Sequence, residues 1–469
     1  MAPYPLQVLI VSCIGIYNRI KRNRGSFKVH YENSKRLWYA DLPAIYQYQR
    51  AQLEELLLEA VTYSPWYREK AAENNITVED IKADPYAAIS RFPILTKEER
   101  REFPDKLSNT KPSRETYSKG YTSGTSGSPT INLLDKESTH LSFAQWRRYY
   151  LTIGLPERKL KSVRFSGKIL VAPFRTKPPF WIYNFIEKQL LMSSYHLTDE
   201  NMAHYVKKLN RFKPELIEGY PSAIYVLSNY IKRSGLTLDF KLFAISTTAE
   251  TLLESQRELI EEVFNCMVFN FYASSEGGPL ITECKNGNLH LNIDSGIFEF
   301  HKLNNGLEEE GEFAELVVTS LRQFKIPLIR YALKDIVELQ DNEIPCGCGC
   351  KMPMVKQIIG REDDLLWTRE RGFVGRMDTA FKGLKHIVKS QIVQKTPKLL
   401  EVYSIVDNHY NKKIEEAFNK NLHERLGQSI VIKFHYVDNI SLGNAGKFDA
   451  VKREFSLQQR DDIAYQNRD

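Results

Sequence analysis

The stretch YTSGTSGSPT, Tyr121–Thr130, alternates glycine with hydroxyl residues between a basic run and the apolar INLL that follows. Backbone N–H groups in a glycine-rich turn converge on an anion, and the hydroxyls beside them add donors, so the stretch suits phosphate oxygens. It is not a Walker A loop, because that pattern needs Gly-Lys before Ser or Thr, and here Gly127 is followed by Ser128. Alone, the same composition equally describes a flexible surface turn. The rest of the chain has to decide between them.

At 469 residues and 42% hydrophobic content the chain can bury more than one core, and such a length predicts about two to four domains. The formal charge of +7 is mild over this length, so no nucleic-acid partner is expected. The positive excess is uneven: RIKRNRGSFK, Arg19–Lys28, carries five basic residues and no acid, just after the apolar PLQVLIVSCIGIY, Pro5–Tyr17. Two readings stand. The expected one is an N-terminal helix docked on the body with its basic end solvated; the other is a peripheral membrane contact, apolar face in the interface and basic residues on anionic headgroups. The run falls short of the ~20 residues needed to span a bilayer, and a secretory signal carries its charge before the apolar run. A cytoplasmic location is therefore expected.

No internal repeat, heptad or low-complexity tract stands out. Gln49–Asn74 has leucines at helical spacing, and FPILTKEERREF, Phe92–Phe103, reads as an extended entry into a helix starting at Thr96 with acids at its positive end. From about residue 117, short apolar runs (SGKILVAPF, PELIEGY, FKLFAISTTAE) alternate with helical stretches (HYVKKLNRF, ESQRELIEEVF). That alternation predicts an α/β domain with functional residues on loops at strand ends. GIFEFHKL, EFAELVVTSL and PLIRYAL look like hairpin strands of a mixed sheet. The expected division is an N-terminal segment over 1–48, a large multi-sheet domain over 49–362 and a small α+β domain over 363–469.

Four further segments follow the glycine-rich stretch in order. NFYASSEGG places Tyr272 four residues before Glu276, IRYALKDIVEL offers Asp335 near a strand end, GREDDLL combines Arg361 with paired acids, and SLGNAGKFD sets Lys447 in a glycine-flanked turn. Each alone has an ordinary structural reading. In this order and at these separations they resemble the adenylate-forming superfamily of acyl-CoA synthetases, luciferases and peptide-synthetase adenylation domains. AVTYSPWYRE, FPILTKEE, EGYPSAIYVLS and STTAETL look like its phenylacetate-CoA ligase branch, and GRMDTAFKGLKHIVKSQIVQ looks most like CapK-type proteins of capsule and exopolysaccharide biosynthesis.

The resemblance implies attack of a small carboxylic acid on the α-phosphorus of ATP, giving an acyl-adenylate, then transfer to a thiol, amine or hydroxyl. It implies that Thr122, Ser123, Gly124, Thr125, Ser126 and Gly127 cradle phosphates, and that Tyr272 stacks on adenine beside Thr248, Ala249 and Glu250. Glu276 is expected to hold Mg²⁺, Asp335 the ribose hydroxyls, and Arg361 to lie beside ribose and phosphate. Lys447 would bridge the substrate carboxylate and the α-phosphate, arriving on a domain that swings about Asp363. The lysine common late in the superfamily's phosphate loop is absent, with Ser128 and Thr130 in its region. So is the glycine-rich guide for pantetheine after the hinge, which leaves CoA open as the acceptor. FRTKPPFWIYNF and EGYPS are candidate walls of the acid pocket.

Cys284 precedes His290 by six residues, and CGCGCKMP supplies Cys346 and Cys348. One His and three Cys form an accepted structural Zn²⁺ set, with Cys350 either the fourth ligand or a spare thiol. Recurrence of these residues in the phenylacetate branch points the same way. Against the enzyme stand a non-catalytic scaffold in a polysaccharide-assembly complex, and an adenylyl transferase whose AMP-bearing compound is the product.

Overall fold

The computed structural model describes residues 3–121, 131–172, 175–303, 313–340, 345–361, 365–374, 377–381, 384, 386–441 and 448–455. The expected phosphate loop from Thr122 to Gly127, the expected hinge Asp363 and the expected lysine Lys447 lie outside the described residues.

The front of the chain is helical: α1 (Tyr4–Arg22), α2 (Phe27–Trp38), α3 (Leu42–Tyr63), α4 (Pro65–Glu73), α5 (Val78–Ala83), α6 (Pro85–Ser90), α7 (Lys97–Glu102) and α8 (Pro104–Leu107). Helix α3 starts on an Asp41 cap and continues through residues 48 and 49, so the expected first boundary falls inside a helix. The physical reason is burial on both sides of it, with Ile45 and Leu53 both fully enclosed. Helix α7 begins as its sequence predicts. Thr96 caps the Glu99 N–H at 3.2 Å and the Glu99 carboxylate returns to the Thr96 N–H at 2.8 Å, a capping box that fixes the first turn.

Strands β1 (Tyr117–Tyr121) and β2 (Ile131–Asp135) form an antiparallel pair, and α9 (Lys136–Thr152) follows. The α/β part then runs β3 (Ser162–Ser166), β4 (Trp181–Asn184), β5 (Gln189–Ser193), α10 (Asp199–Phe212), β6 (Leu216–Gly219), α11 (Pro221–Ser234), β7 (Ala244–Thr248), α12 (Glu254–Phe264) and β8 (Val268–Tyr272). The antiparallel part adds β9 (Ile281–Glu283), β10 (Leu289–Leu291), β11 (Gly296–Lys302), β12 (Phe313–Ser320), β13 (Tyr331–Leu339) and β14 (Met354–Arg361). Together they make one 12-stranded sheet, in the order β11-β12-β13-β14-β10-β9-β8-β7-β6-β3-β5-β4. From β8 to β5 the neighbours are parallel; the others are antiparallel.

Period-2 alternation explains how the parallel strands are covered on both faces. Ile217, Ile245 and Val268 point into a core shared with α10, α11 and α12. Their neighbours Leu216, Ala244 and Phe269 point the other way, onto Tyr149 and Ile153 at the end of α9. One expected strand is displaced. Pairing with β5 and β6 uses Ser162–Ser166, while the apolar run of SGKILVAPF comes after the strand, with Ile169 exposed.

Beyond Arg361, β15 (Leu366–Thr368) pairs with β16 (Gly372–Val374). A four-stranded sheet in the order β19-β18-β17-β20 follows, from β17 (Ile387–Thr396), β18 (Leu399–Val406), β19 (Val431–Tyr436) and β20 (Val451–Arg453), with α13 (Lys412–Leu426). Phe418, Leu422 and Leu426 of α13 pack on Ile392, Leu400 and Val402, a core separate from those of the large sheet. No helix among the described residues is long and apolar enough to cross a membrane.

Candidate functional site

A cavity of about 620 Å³ opens where β8, β13 and β14 meet the loop after β7 and the segment leading into β20. Tyr272 closes β8, and the chain then turns through Ser274–Gly277, where Gly277 takes a φ of +91° that disfavours any side chain. This turn carries Glu276. It is pinned by Asn132 of β2, whose amide donates to the Ser275 carbonyl at 2.8 Å, so the strand leaving the glycine-rich stretch is tied to the Glu276 turn.

Asp335 and Arg361 are register partners on β13 and β14, which sets the carboxylate and guanidinium on neighbouring strands of one sheet. The Tyr272 hydroxyl donates to Asp335 Oδ2 at 2.5 Å. Burial raises the Asp335 carboxyl above its ordinary value, and the Tyr272 hydrogen bond and the Arg361 charge act against that rise. Lys97, the first residue of α7, enters the same cavity and its Nζ lies 3.9 Å from Glu276 Oε1. Its position is built by backbone pairing: Leu95 N–H donates to the Arg330 carbonyl at 2.9 Å and the Leu95 carbonyl accepts from Ala332 at 3.0 Å. Burial lowers the Lys97 ammonium below its ordinary value, with Glu276 opposing.

Ala249 and Glu250 line the opposite wall; Thr248 ends β7 just before them and is not among the lining residues. Ala249 sits at a φ of +71°, so the chain turns sharply there. Glu250 is a bridge, with one carboxylate oxygen accepting from Ser222 at the start of α11 (3.1 Å) and the other from the backbone of Phe448 (3.0 Å). The residue after Lys447 is thus bonded to the cavity wall.

A second cluster gathers at the β9–β10 hairpin, with His290 on β10 and Cys284 just after β9. Cys284, His290, Cys346 and Cys348 are all buried, and their ligand atoms lie within 4.8 Å of one another. Cys284 Sγ is 3.6 Å from Cys346 Sγ, and Cys348 Sγ is 3.5 Å from His290 Nε2. His290 donates its other ring nitrogen to the Met352 carbonyl at 3.0 Å, the outer bond that orients a metal-ligating imidazole. Cys350 is buried outside this group, and its backbone N–H donates to Cys348 Sγ at 3.4 Å.

Residues 366–454 match the CapK C-terminal domain family. Over 450 residues, 95% of this chain and 96% of the relative, the sequence is 33% identical to protein CapK of Staphylococcus aureus. The chain belongs to the CapK family. It is also 23% identical to the phenylacetate-coenzyme A ligase of Pseudomonas putida over 346 residues, 70% of this chain and 73% of that ligase. Among solved structures, 2-hydroxyisobutyryl-CoA ligase in the postadenylation state, in complex with R3-HIB-AMP, matches with a TM-score of 0.69 over 92% of this chain and 94% of that one, at 17% identity. The anthranilate CoA ligase AuaEII, in complex with anthranoyl-AMP, matches with a TM-score of 0.52 over 75% of this chain and 68% of that one, at 14% identity. At such identities the likeness is one of fold. The CapK-family chain has the mixed α/β fold of the adenylate-forming CoA ligases, as its motifs predict.

Within this CapK-family fold, Tyr272, Glu276, Asp335, Arg361, Ala249 and Glu250 converge on one cavity. Sequence reasoning missed Lys97, because TKEE reads as a helix cap; the apolar FPIL before it, able to pair with a strand, was the available signal. Among the described residues, none of the aromatic run expected to wall the acid pocket lines this cavity: Phe180 is fully buried in the core near the edge strand β4, whereas Ser222 of EGYPS does line it.

Proposed function

We propose that this protein is an ATP-dependent, AMP-forming ligase that activates a small carboxylic acid to an acyl-adenylate and passes the acyl group to CoA or another thiol, amine or hydroxyl. The capsule or exopolysaccharide setting of its reaction is inferred from the CapK relationship. The observation that carries the reading is the convergence of a half-buried, hydrogen-bonded Tyr272–Asp335 pair, Glu276, Arg361 and Lys97 on one cavity.

In this reading Asp335 accepts the two ribose hydroxyls, which suits a half-buried carboxyl already bonded to one hydroxyl group. Tyr272 lies against adenine beside Ala249, with Thr248 and Glu250 at its edge. Negative charge concentrates on the triphosphate as the acid oxygen attacks the α-phosphorus and pyrophosphate leaves, so cations must converge there. Arg361 and Lys97 supply two, the donors from Thr122 to Gly127 grip the departing phosphates, and Lys447 bridges acid and α-phosphate. Support for Lys447 comes from its neighbour Phe448, bonded to Glu250. Glu276 fits Mg²⁺, a hard cation that takes a carboxylate together with phosphate oxygens. Rotation about Asp363 would then release the lysine and admit the acceptor.

The cysteine cluster holds a structural Zn²⁺ in the same reading. Tetrahedral bonds of about 2.3 Å to sulfur and about 2.0 Å to nitrogen separate two sulfurs by ~3.8 Å and sulfur from nitrogen by ~3.5 Å. Cys284–Cys346 and Cys348–His290 stand at 3.6 and 3.5 Å, and all four ligand atoms lie within 4.8 Å of one another. Four protein ligands leave no place for water, so the ion would clamp β9 and β10 to the 345–352 turn and not act in catalysis.

ATP–pyrophosphate exchange with a panel of aryl, hydroxy and amino acids tests the reaction. Acid-dependent exchange supports it, and hydroxylamine trapping of the acyl group separates acyl transfer from stable AMP transfer. ATP binding without exchange for any acid would move the protein to the scaffold reading.

A further inference from the structure

The protein-facing side of helix α1 centres on two small residues, with Val8 and Val11 half-buried beside them: Ser12 and Gly15 are buried, Ser12 Oγ accepts from the Phe185 backbone at 3.2 Å, and a side chain on Gly15 would collide with Asn184. That close approach lets the helix lie along β4, the last strand of the large sheet. Its outward side is apolar. Leu9, Ile10, Ile14 and Tyr17 are 59%, 46%, 51% and 65% exposed, and Leu6, Ile16 and Ile20 are exposed with them. At 100° per residue these positions cover an arc of about 160°, and the one charged residue of the helix within it is Lys21, about 20° from one edge. Phe185, bonded through its backbone to Ser12, is 62% exposed and extends the patch onto the β4–β5 turn.

A soluble surface rarely keeps such a face, and contiguous exposed apolar patches mark interaction sites. The charge beside it identifies the partner. Arg19, Arg24 and Lys28 are exposed at the C-terminal end of α1 and the start of α2, Lys21 is half-exposed, and Arg22 is turned inward over Phe143 at 4.1 Å. The helix contains no acid. A second copy of the chain would bring this basic end against its own equivalent, or against the positive N-terminus of the partner helix, with no counter-charge in either case. The C-terminal SLQQRDDIAYQNRD is too polar to cover an apolar face of this length.

We propose that α1 lies flat in the headgroup region of an anionic lipid bilayer and holds the protein on the membrane surface. The apolar arc enters the interface while Arg19, Arg24 and Lys28 reach lipid phosphates. The lock that presents the helix is already made: Ser26 donates to Glu137 at 2.7 Å, His30 donates to it at 2.5 Å, and the Lys21 carbonyl is bonded to His140, all on α9. The attachment does not depend on which reaction the cavity catalyses.

Co-sedimentation of the full chain with phosphatidylcholine vesicles, with and without phosphatidylglycerol, tests it. The protein is expected to pellet with the anionic vesicles at least tenfold more strongly than with neutral ones, and to be released as salt is raised. Leu9→Asp/Ile14→Asp should lower that partition at least tenfold with an unchanged melting temperature, and Arg24→Glu/Lys28→Glu, which leaves the helix face untouched, should do so through charge. Equal binding to neutral vesicles, binding to neither, or undiminished binding by the variants overturns the proposal. So does light scattering that finds a dimer abolished by Leu9→Asp/Ile14→Asp.

Discussion

Lys97 Nζ stands 3.9 Å from Glu276 Oε1 at the mouth of a helix whose start is paired to β13 through Leu95. The pair brings a cation to the acidic end of the cavity in a chain whose glycine-rich stretch lacks the superfamily's usual lysine. If Lys97 stabilises the triphosphate, Lys97→Met should weaken ATP binding by roughly 10- to 100-fold, the worth of one charge-assisted hydrogen bond. Calorimetric titration of ATP with Mg²⁺ reads this without knowledge of the acid. An unchanged affinity would assign Lys97 to holding Glu276 alone.

The Tyr272–Asp335 bond predicts a sugar-specific defect. Tyr272→Phe keeps the ring but removes the donor that orients Asp335. Discrimination between ATP and 2′-deoxy-ATP should narrow about threefold or more, in line with one hydrogen bond of ~1 kcal/mol. Tyr272→Ala, which removes the ring as well as the hydroxyl, should show the same narrowed discrimination and weaken both nucleotides further.

Metal analysis of protein purified without added metal should find about one zinc per chain. Cys284→Ser should lose the metal and lower the melting temperature, whereas Cys350→Ser, outside the four-atom cluster, should retain it.

Arg148 and Asp294 are 2% and 1% exposed and paired, and Arg148 also donates to Asn292 at 2.5 Å and lies over Trp38 at 5.1 Å. Removing one partner strands a buried charge, so Asp294→Ala should cost about 3–5 kcal/mol in urea unfolding. Arg148→Met/Asp294→Leu should cost less than the sum of the single changes.

The His30 hydrogen bond, opposed by partial burial and joined by Ser26, depresses the Glu137 carboxyl from 4.5 to about 2. A carboxyl lowered on folding adds stability that is fully present above its unfolded value and is lost as pH falls through its folded one. The melting-temperature gap between wild type and Glu137→Gln should therefore shrink from about pH 4.5 and vanish near pH 2.

Local readings travelled well into the fold. The Thr96 cap and the β8 strand that ends at Tyr272 stand where their residues predict, because caps and period-2 alternation act over a few neighbours, whereas Asp335, expected near a strand end, sits in the middle of β13. Readings that depended on a partner fared differently. SGKILVAPF has the apolar content of a strand, yet β3 ends at Ser166 because the parallel register with β5 and β6 is set by those strands. The 48/49 boundary lies inside α3, which is buried on both sides of it.

By itself the sequence determined the family resemblance, the order of site motifs and the spacing of the Cys/His set, all carried by short contiguous stretches. Tertiary structure alone decided that Lys97 meets Glu276, that His290 and not Cys350 joins the other three cysteines, and that Glu250 bonds Phe448. It also decided which side of α1 faces out. Helical period separates two faces in sequence, but only the close approach of Ser12 and Gly15 to β4 shows that theirs is the buried one. Each of these depends on contacts between segments far apart in the chain, and those contacts are set by how the whole sheet and its covering helices pack.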